Sequence, residues 1–199
     1  IHGEKVTIYL ILLRPLQGTE ATIIPPAIVS GHENRAGWGY AWAALPKPYI
    51  RRISALVCDG QKWLTAFGYR RGWIVQRCHF HLLANLHMYL GVREYQRNRI
   101  VRELVHALLT TADHQKSRTI LRKLACVRQE SKSRGIRRVL SGLETNHRDF
   151  QSYLRHPNLL LPATTNAAES CISSIRDFMR RSRGFRSKET LERWIVGYV

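Results

Sequence analysis

Two carboxylates stand where chemistry is possible, Asp59 and Glu169. Asp59 closes the apolar run that starts at Ile53, and Gly60 follows it. A short run with a β-branched core that halts at Asp-Gly reads as a buried strand delivering one carboxylate to its C-terminal edge. Open α/β sheets place their ligands at that edge. The same dipeptide also makes turns and caps helices, and the local sequence leaves both readings open. Ahead of residue 94 the acidic residues are Glu4, Glu20, Glu33 and Asp59, and only Asp59 ends a strong strand.

Glu169 lies in Asn166–Arg183, a stretch with helical spacing. At about 100° per residue, Ala167, Cys171, Ile175 and Phe178 share an apolar face. Glu169, Ser173, Arg176, Arg180 and Arg183 share the opposite one, so one carboxylate heads a stripe of three arginines. Asn166-x-x-Glu169 is also a capping-box pattern, which gives Glu169 a structural reading beside the chemical one.

Two or three such carboxylates can hold two Mg²⁺ ions roughly 3.5–4 Å apart. One ion activates a water or a 3′-hydroxyl, and the other stabilises the leaving oxygen of an in-line displacement. Mg²⁺ suits the task because it takes hard oxygen ligands and keeps positions open for phosphate. Arginines beside Glu169 would grip the DNA backbone next to the scissile bond.

Cys78-His79-Phe80-His81 has the spacing of half a zinc site. Nothing completes it, since Cys126 and His147 are isolated. Zinc is therefore not expected, and the alternative is a polar cluster where a strand enters a helix. Gln76-Arg77 and the arginines Arg93, Arg97, Arg99 and Arg102 are either phosphate contacts or a solvated helix face.

The elements that must position these residues follow in order. Lys5–Leu13 and Ala21–Val29 read as two strands of an antiparallel hairpin, with Pro25-Pro26 denying the second a regular ladder. Gly37–Leu45 reads as a short helix stopped by Pro46 and Pro48. After the strand to Asp59 come a helix over Gln61–Tyr69 and a strand over Trp73–Gln76. Residues 78–156 hold no strand pattern and no proline. Ile100, Leu104 and Leu108 recur at helical spacing, as do Ile120, Leu121, Leu124 and Val127, and Phe150, Tyr153 and Leu154. Gly91, Gly135 and Gly142 are expected to break these helices, and Gly184 to end the helix carrying Glu169. A last helix begins near Ser187.

Composition narrows the partner. Lys and Arg total 32 against 14 acidic residues in 199, a formal charge of +18. That excess predicts a polyanion, and without an amphipathic terminal helix nucleic acid is favoured over a membrane surface. No run of 18 apolar residues exists to span a bilayer. Four scattered cysteines predict reduced thiols and an intracellular protein. The start at Ile1 and the end inside an apolar pattern suggest a piece of a longer protein.

Three elements now stand in order: Val-Cys-Asp59-Gly, Gln-Arg-Cys78-His-Phe-His81, and Thr-Thr-Asn166-Ala-Ala-Glu169 with Arg176 seven positions on. Together they resemble the catalytic domain of a mutator-type DDE transposase from a bacterial insertion sequence. The similarity is greatest to the variant group whose full-length members carry an N-terminal zinc-binding segment, and it covers essentially the whole chain. It implies an α/β fold, a ribonuclease H-like mixed sheet core interrupted by an all-helical insertion before the last catalytic helix. The divisions would be 1–77 for the first part of the core, 78–162 for the insertion and 163–199 for the final helices.

The resemblance implies that Asp59 and Glu169 bind Mg²⁺ or Mn²⁺. It implies that Cys78 and His81 form the supporting motif, that Arg176 matches the family's basic residue, and that Arg183-Gly184-Phe185 matches its trailing motif. With Arg180 and Arg183, Arg176 would hold DNA. The activity implied is cleavage at insertion-sequence ends and strand transfer to target DNA, by a homo-oligomer on DNA. The setting implied is the cytoplasm of a bacterium or archaeon, in association with the nucleoid. One departure stands out: no Asp precedes Asp59, so the first member of the triad is expected upstream of Ile1 and this stretch alone is expected to be inactive. The rival readings are a domesticated transposase that binds DNA without cutting it, another ribonuclease H-like nuclease such as a junction resolvase, and a zinc-dependent structural module.

Overall fold

A computed structural model describes residues 5–16, 18, 20–90, 95–182, 185 and 187–198. The chain is mixed α/β, mostly helical, with two small sheets among the described residues. In chain order the elements are β1 (Val6–Leu13), β2 (Thr22–Ser30), α1 (Arg35–Ala43), α2 (Lys47–Arg52), β3 (Ala55–Cys58), α3 (Lys62–Arg70) and β4 (Ile74–Arg77). They continue with α4 (His79–Leu90), α5 (Tyr95–Thr110), α6 (His114–Glu130), α7 (Arg134–Phe150), α8 (Ser152–Arg155), α9 (Asn166–Arg181) and α10 (Lys188–Tyr198). No helix among the described residues is long and apolar enough to cross a membrane. The chain divides into two compact units, one of residues 1–53 with 166–199 and one of residues 54–165.

In the first unit β1 and β2 form the expected antiparallel pair. The register runs Tyr9 opposite Ala27 and then Ile11 opposite Ile24, which leaves an extra residue on β2. Pro25-Pro26 falls in that bulge, where their missing N–H groups cost no ladder bond. Asn34 caps α1, its Oδ1 accepting the Gly37 N–H at 2.9 Å. Gly37 has no alternative here: a Cβ would come within 2.2 Å of the Tyr9 ring. Buried Tyr9 in turn accepts the Asn34 N–H on its hydroxyl at 2.8 Å. α1 ends at Ala43, ahead of Pro46 and Pro48 as expected, and Pro48 sits in the first turn of α2, where an N–H would have no intrahelical partner.

The apolar side of α9 packs within this unit. Ile175 is buried with Ile28, Leu191 and Ile195, and Cys171 and Met179 lie against them. Phe178 stacks on Trp194 with ring centroids 3.4 Å apart. Ala167, expected on the same face, is exposed. It sits at the start of the helix, a turn ahead of where packing begins. Ser187 caps α10 by accepting the Thr190 N–H at 3.2 Å.

The second unit opens with a β-α-β motif. β3 and β4 are parallel, with Ala55 opposite Ile74 and Cys58 opposite Arg77, and α3 makes the crossover. Gly68 lets α3 lie close on the strands, since a Cβ there would meet Val75 at 2.9 Å. The helices after β4 share one core. Leu82, Leu86 and Leu90 come from α4, Val101, Val105, Leu108 and Leu109 from α5, Leu124 from α6, and Leu140, Leu143 and Phe150 from α7. Each such side chain contributes about 1.5–3 kcal/mol on burial.

Two expectations fail among these helices. Gly135 and Gly142 lie inside α7 and break nothing. Gly135 is there because Tyr89 of α4 crosses it: a Cβ would come within 2.2 Å of that ring. The expected stripe on α5 is one residue out of phase at its start, with Ile100 exposed and Val101 buried. The expected break at Gly91 and the helix end at Gly184 fall outside the described residues.

Candidate functional site

Asp59 follows the last residue of β3, exposed at the C-terminal edge of the parallel pair. Its Oδ1 accepts the Gln61 N–H at 3.0 Å, so the carboxylate forms the turn while the residue stays exposed. Both readings of Asp59, turn-former and exposed strand-end carboxylate, therefore hold at once. Gly60 sits at φ +92, a conformation that favours glycine, and a Cβ there would meet the Arg77 guanidinium at 3.2 Å.

Arg77 ends β4 and lies under that turn. Its Nε is 3.5 Å from Asp149 Oδ2, and both side chains are largely buried. The Tyr69 hydroxyl donates to the same Asp149 carboxylate. Burial raises the Tyr69 phenol well above its ordinary value, and the bond to Asp149 and its charge add to the effect. Burial likewise pushes the Cys58 thiol up to about 11, which keeps it neutral and unreactive. Arg77 thus lies against the Gly60 backbone and is linked through Asp149 to the exposed Tyr69. The sequence carries no mark of Asp149 and Tyr69, because nothing local identifies an Asp near the end of a helix as the partner of a strand-end Arg.

Gln76 is fully buried and serves the fold, which corrects the reading of it as a phosphate contact. Its Nε2 donates to the carbonyls of Arg77 at 2.7 Å and Phe150 at 3.2 Å, and its Oε1 accepts the Tyr153 N–H at 2.8 Å. Ser152 Oγ donates to the Val75 carbonyl at 2.7 Å. His79 lies 2.7 Å from the Phe150 carbonyl through Nε2 and edge-on to the Tyr153 ring. These side chains bind the end of the helical layer to the edge of β4, and each of the three has a hydrogen-bond partner across it.

Cys78 and His81 are brought together at the start of α4. Cys78 is fully buried, and its Sγ accepts the Thr165 N–H at 3.3 Å and the Thr165 hydroxyl at 3.2 Å. Burial pushes this thiol up, but the hydrogen bonds from Thr165 and His81 together outweigh it and lower its pKa. The His79 N–H donates to the Ala163 carbonyl at 2.9 Å. The Cys-x-x-His element is thus a clamp on residues 163–165, immediately ahead of α9. Among the described residues no group of three or more His, Cys, Asp and Glu side chains gathers as a metal site.

Glu169 stands in the first turn of α9 and is half-buried. Arg176 and Arg180 are exposed on the same helix, and Arg180 pairs with Asp177 at 3.2 Å. Arg183 lies outside the described residues. Asp59 belongs to the unit of residues 54–165 and Glu169 to the other. On α5, Arg99 pairs with Glu103 at 2.7 Å, and Arg102 reaches His87 of α4 at 3.2 Å. Arg93 and the side chain of Arg97 fall outside the described residues.

No curated protein and no solved structure matches this chain. A family profile does match, over residues 20–199, and its description is transposase, Mutator family. That span takes in the Asp59 turn, the Cys78–His81 clamp, the helical layer and α9, and the chain belongs to the Mutator family of transposases.

Proposed function

We propose that this chain carries the catalytic core of a DDE-type transposase, which cuts DNA at the ends of an insertion sequence and joins the freed 3′-hydroxyl to target DNA. The observation that carries the reading is Asp59: in a Mutator-family transposase, an exposed carboxylate follows a parallel strand at its C-terminal edge. Asp59 and Glu169 are two of the metal-binding carboxylates in this reading. The donor chemistry fits a hard divalent cation, because Asp59 is an exposed carboxylate and carboxylate oxygens are the ligands such ions take. When bound, Mg²⁺ or Mn²⁺ would activate the attacking oxygen and stabilise the leaving one.

The chain's own residues supply position and charge. Arg77, paired with Asp149, lies beside the Gly60 turn, and the clamp from Cys78 holds Thr165, the residue that precedes the helix of Glu169. Arg176, Arg180 and Arg183 would bind phosphates, as the +18 charge favours. The β3–α3–β4 unit, with its carboxylate at the strand end, suits a ribonuclease H-like core. The assembled protein would act as a homo-oligomer on DNA, associated with the nucleoid in the cytoplasm of a bacterium or archaeon.

The test is strand transfer by the protein expressed from its whole gene, with labelled element ends, target DNA and Mg²⁺. Asp59→Asn and Glu169→Gln are each expected to abolish product while changing duplex binding less than about threefold. Undiminished transfer by Asp59→Asn would sink the reading. A wild-type protein that binds DNA and never cuts it would establish the domesticated, binding-only alternative.

A further inference from the structure

The outer face of the α4–α5 pair carries a groove that the catalytic reading leaves unused. Phe80, Leu83 and Ala84 line it with apolar surface, and His87, Arg102 and His106 with polar groups. Its volume is about 410 Å³. Phe80 is 53% exposed and Leu83 37%, although both lie on a helix whose other side is packed in the core. Phe80, Leu83, Ala84 and His87 recur at helical spacing on one face. Arg102 Nη2 donates to His87 Nδ1 at 3.2 Å, which leaves the other ring nitrogen of His87 as a further donor. No carboxylate lines the groove among the described residues.

We propose that this groove binds an unpaired DNA base, stacked on Phe80, with the adjoining phosphate held by Arg102, His87 and His106. This rests on DNA being the partner. The charge selects the occupant: the groove carries the Arg102 guanidinium with no carboxylate among the described residues of its lining, and the formal +18 of the chain favours a polyanion. An exposed aromatic ring beside arginine is the pairing that stacks single-stranded bases and grips their backbone, and it accepts any base because every base has a π-face. A paired base is excluded. Its faces are already stacked on its neighbours in the duplex, and the groove is a slot between adjacent helices. The site therefore reads strand separation and not sequence.

The experiment compares binding of a blunt duplex with that of the same duplex carrying a short unpaired stretch, by fluorescence anisotropy at one fixed salt concentration. The full chain should favour the unpaired substrate. Phe80→Ala should weaken that binding about 5- to 100-fold and leave blunt-duplex affinity within about twofold. Phe80→Trp should restore the preference, and Arg102→Gln should reduce it. Photocrosslinking of a 5-iodouracil placed in the unpaired stretch should mark Phe80. Equal affinity of wild type and Phe80→Ala for both substrates, or crosslinks only elsewhere, would overturn the groove while leaving DNA as the partner. Failure of the wild type to bind either substrate would overturn both readings. If Phe80→Ala abolished a concentration-dependent dimer, or capture of an acidic helical peptide, with DNA binding unchanged, the groove would belong to protein.

Discussion

Cys78 Sγ accepts two hydrogen bonds from a single residue, Thr165, its N–H at 3.3 Å and its hydroxyl at 3.2 Å. The first residue ends the run from β4 into α4, and the second directly precedes α9. A sulfur acceptor buried at this position joins the two ends of the helical layer.

Removing the acceptor leaves the Thr165 N–H and hydroxyl unpaired in a half-buried site. Cys78→Ala should therefore cost about 1–3 kcal/mol. Thr165→Val should cost part of the same amount, and the double variant should fall short of the sum, because both changes break one interaction. Urea unfolding of the four proteins gives the coupling. Additive effects would show that the clamp contributes nothing.

How much of this could be read in advance depended on whether the signal was local. The hairpin, the Asp59 strand, the crossover helix and the next strand are all visible as apolar runs bounded by turn residues. Asp59 itself was readable because strand-ending carboxylates are a local pattern. Gly135 was misread because its reason, the Tyr89 ring on another helix, is tertiary. Gln76 was misread because a glutamine beside an arginine looks solvent-facing until Phe150 and Tyr153 arrive from 74 and 77 residues away. The α5 stripe was misphased because Ile100 and Val101 are both apolar, and only packing chooses between them.

Gln76 offers a sharper test of the layer's attachment. Gln76→Leu keeps the bulk but removes the partner of the buried Tyr153 N–H and a donor to the Phe150 carbonyl. The expected loss is about 1–3 kcal/mol, read as a lower urea midpoint with an unchanged slope. A changed slope would mean that the helical layer had come loose and that two-state unfolding was lost.

Arg77 and Asp149 form a largely buried pair beneath the Asp59 turn. Asp149→Ala strands the guanidinium and should destabilise the chain by about 3 kcal/mol. It should also free the Tyr69 phenol from an acceptor, and its titration should move back toward the ordinary range, as ultraviolet absorbance would record. An unmoved Tyr69 titration would show that burial alone sets it.

His79 gives the chain a defined response to acid. Burial lowers its pKa from the ordinary 6.5, outweighing the Phe150 carbonyl, which raises it, and His106 lowers it further. The unfolded chain then binds a proton at a higher pH than the folded one. Stability is fully present above about pH 6.5 and declines as pH falls from there toward the lowered folded value. His79→Gln cannot take up that proton, so its loss of stability over the same interval should be smaller than that of the wild type. Chemical denaturation at pH 7.5 and 5.5 supplies the comparison, and parallel losses would exclude His79 as the source.

Two glycines of α7 make opposite predictions from the same substitution. A helix-interior glycine is less favourable than alanine by about 0.5–1 kcal/mol. Nothing lies within 4 Å of a Cβ at Gly142, so Gly142→Ala should stabilise the chain by about that amount. At Gly135 the Cβ would meet the Tyr89 ring at 2.2 Å, and α4 and α7 would have to separate or the ring turn away. Overpacking of this kind typically costs about 1–3 kcal/mol, more than the propensity gain. Gly135→Ala should thus lower the melting temperature while Gly142→Ala raises it. If Tyr89→Ala reverses the sign at Gly135, the clash with that ring is the cause; if both alanine variants shift the same way, α4 does not cross α7 at Gly135.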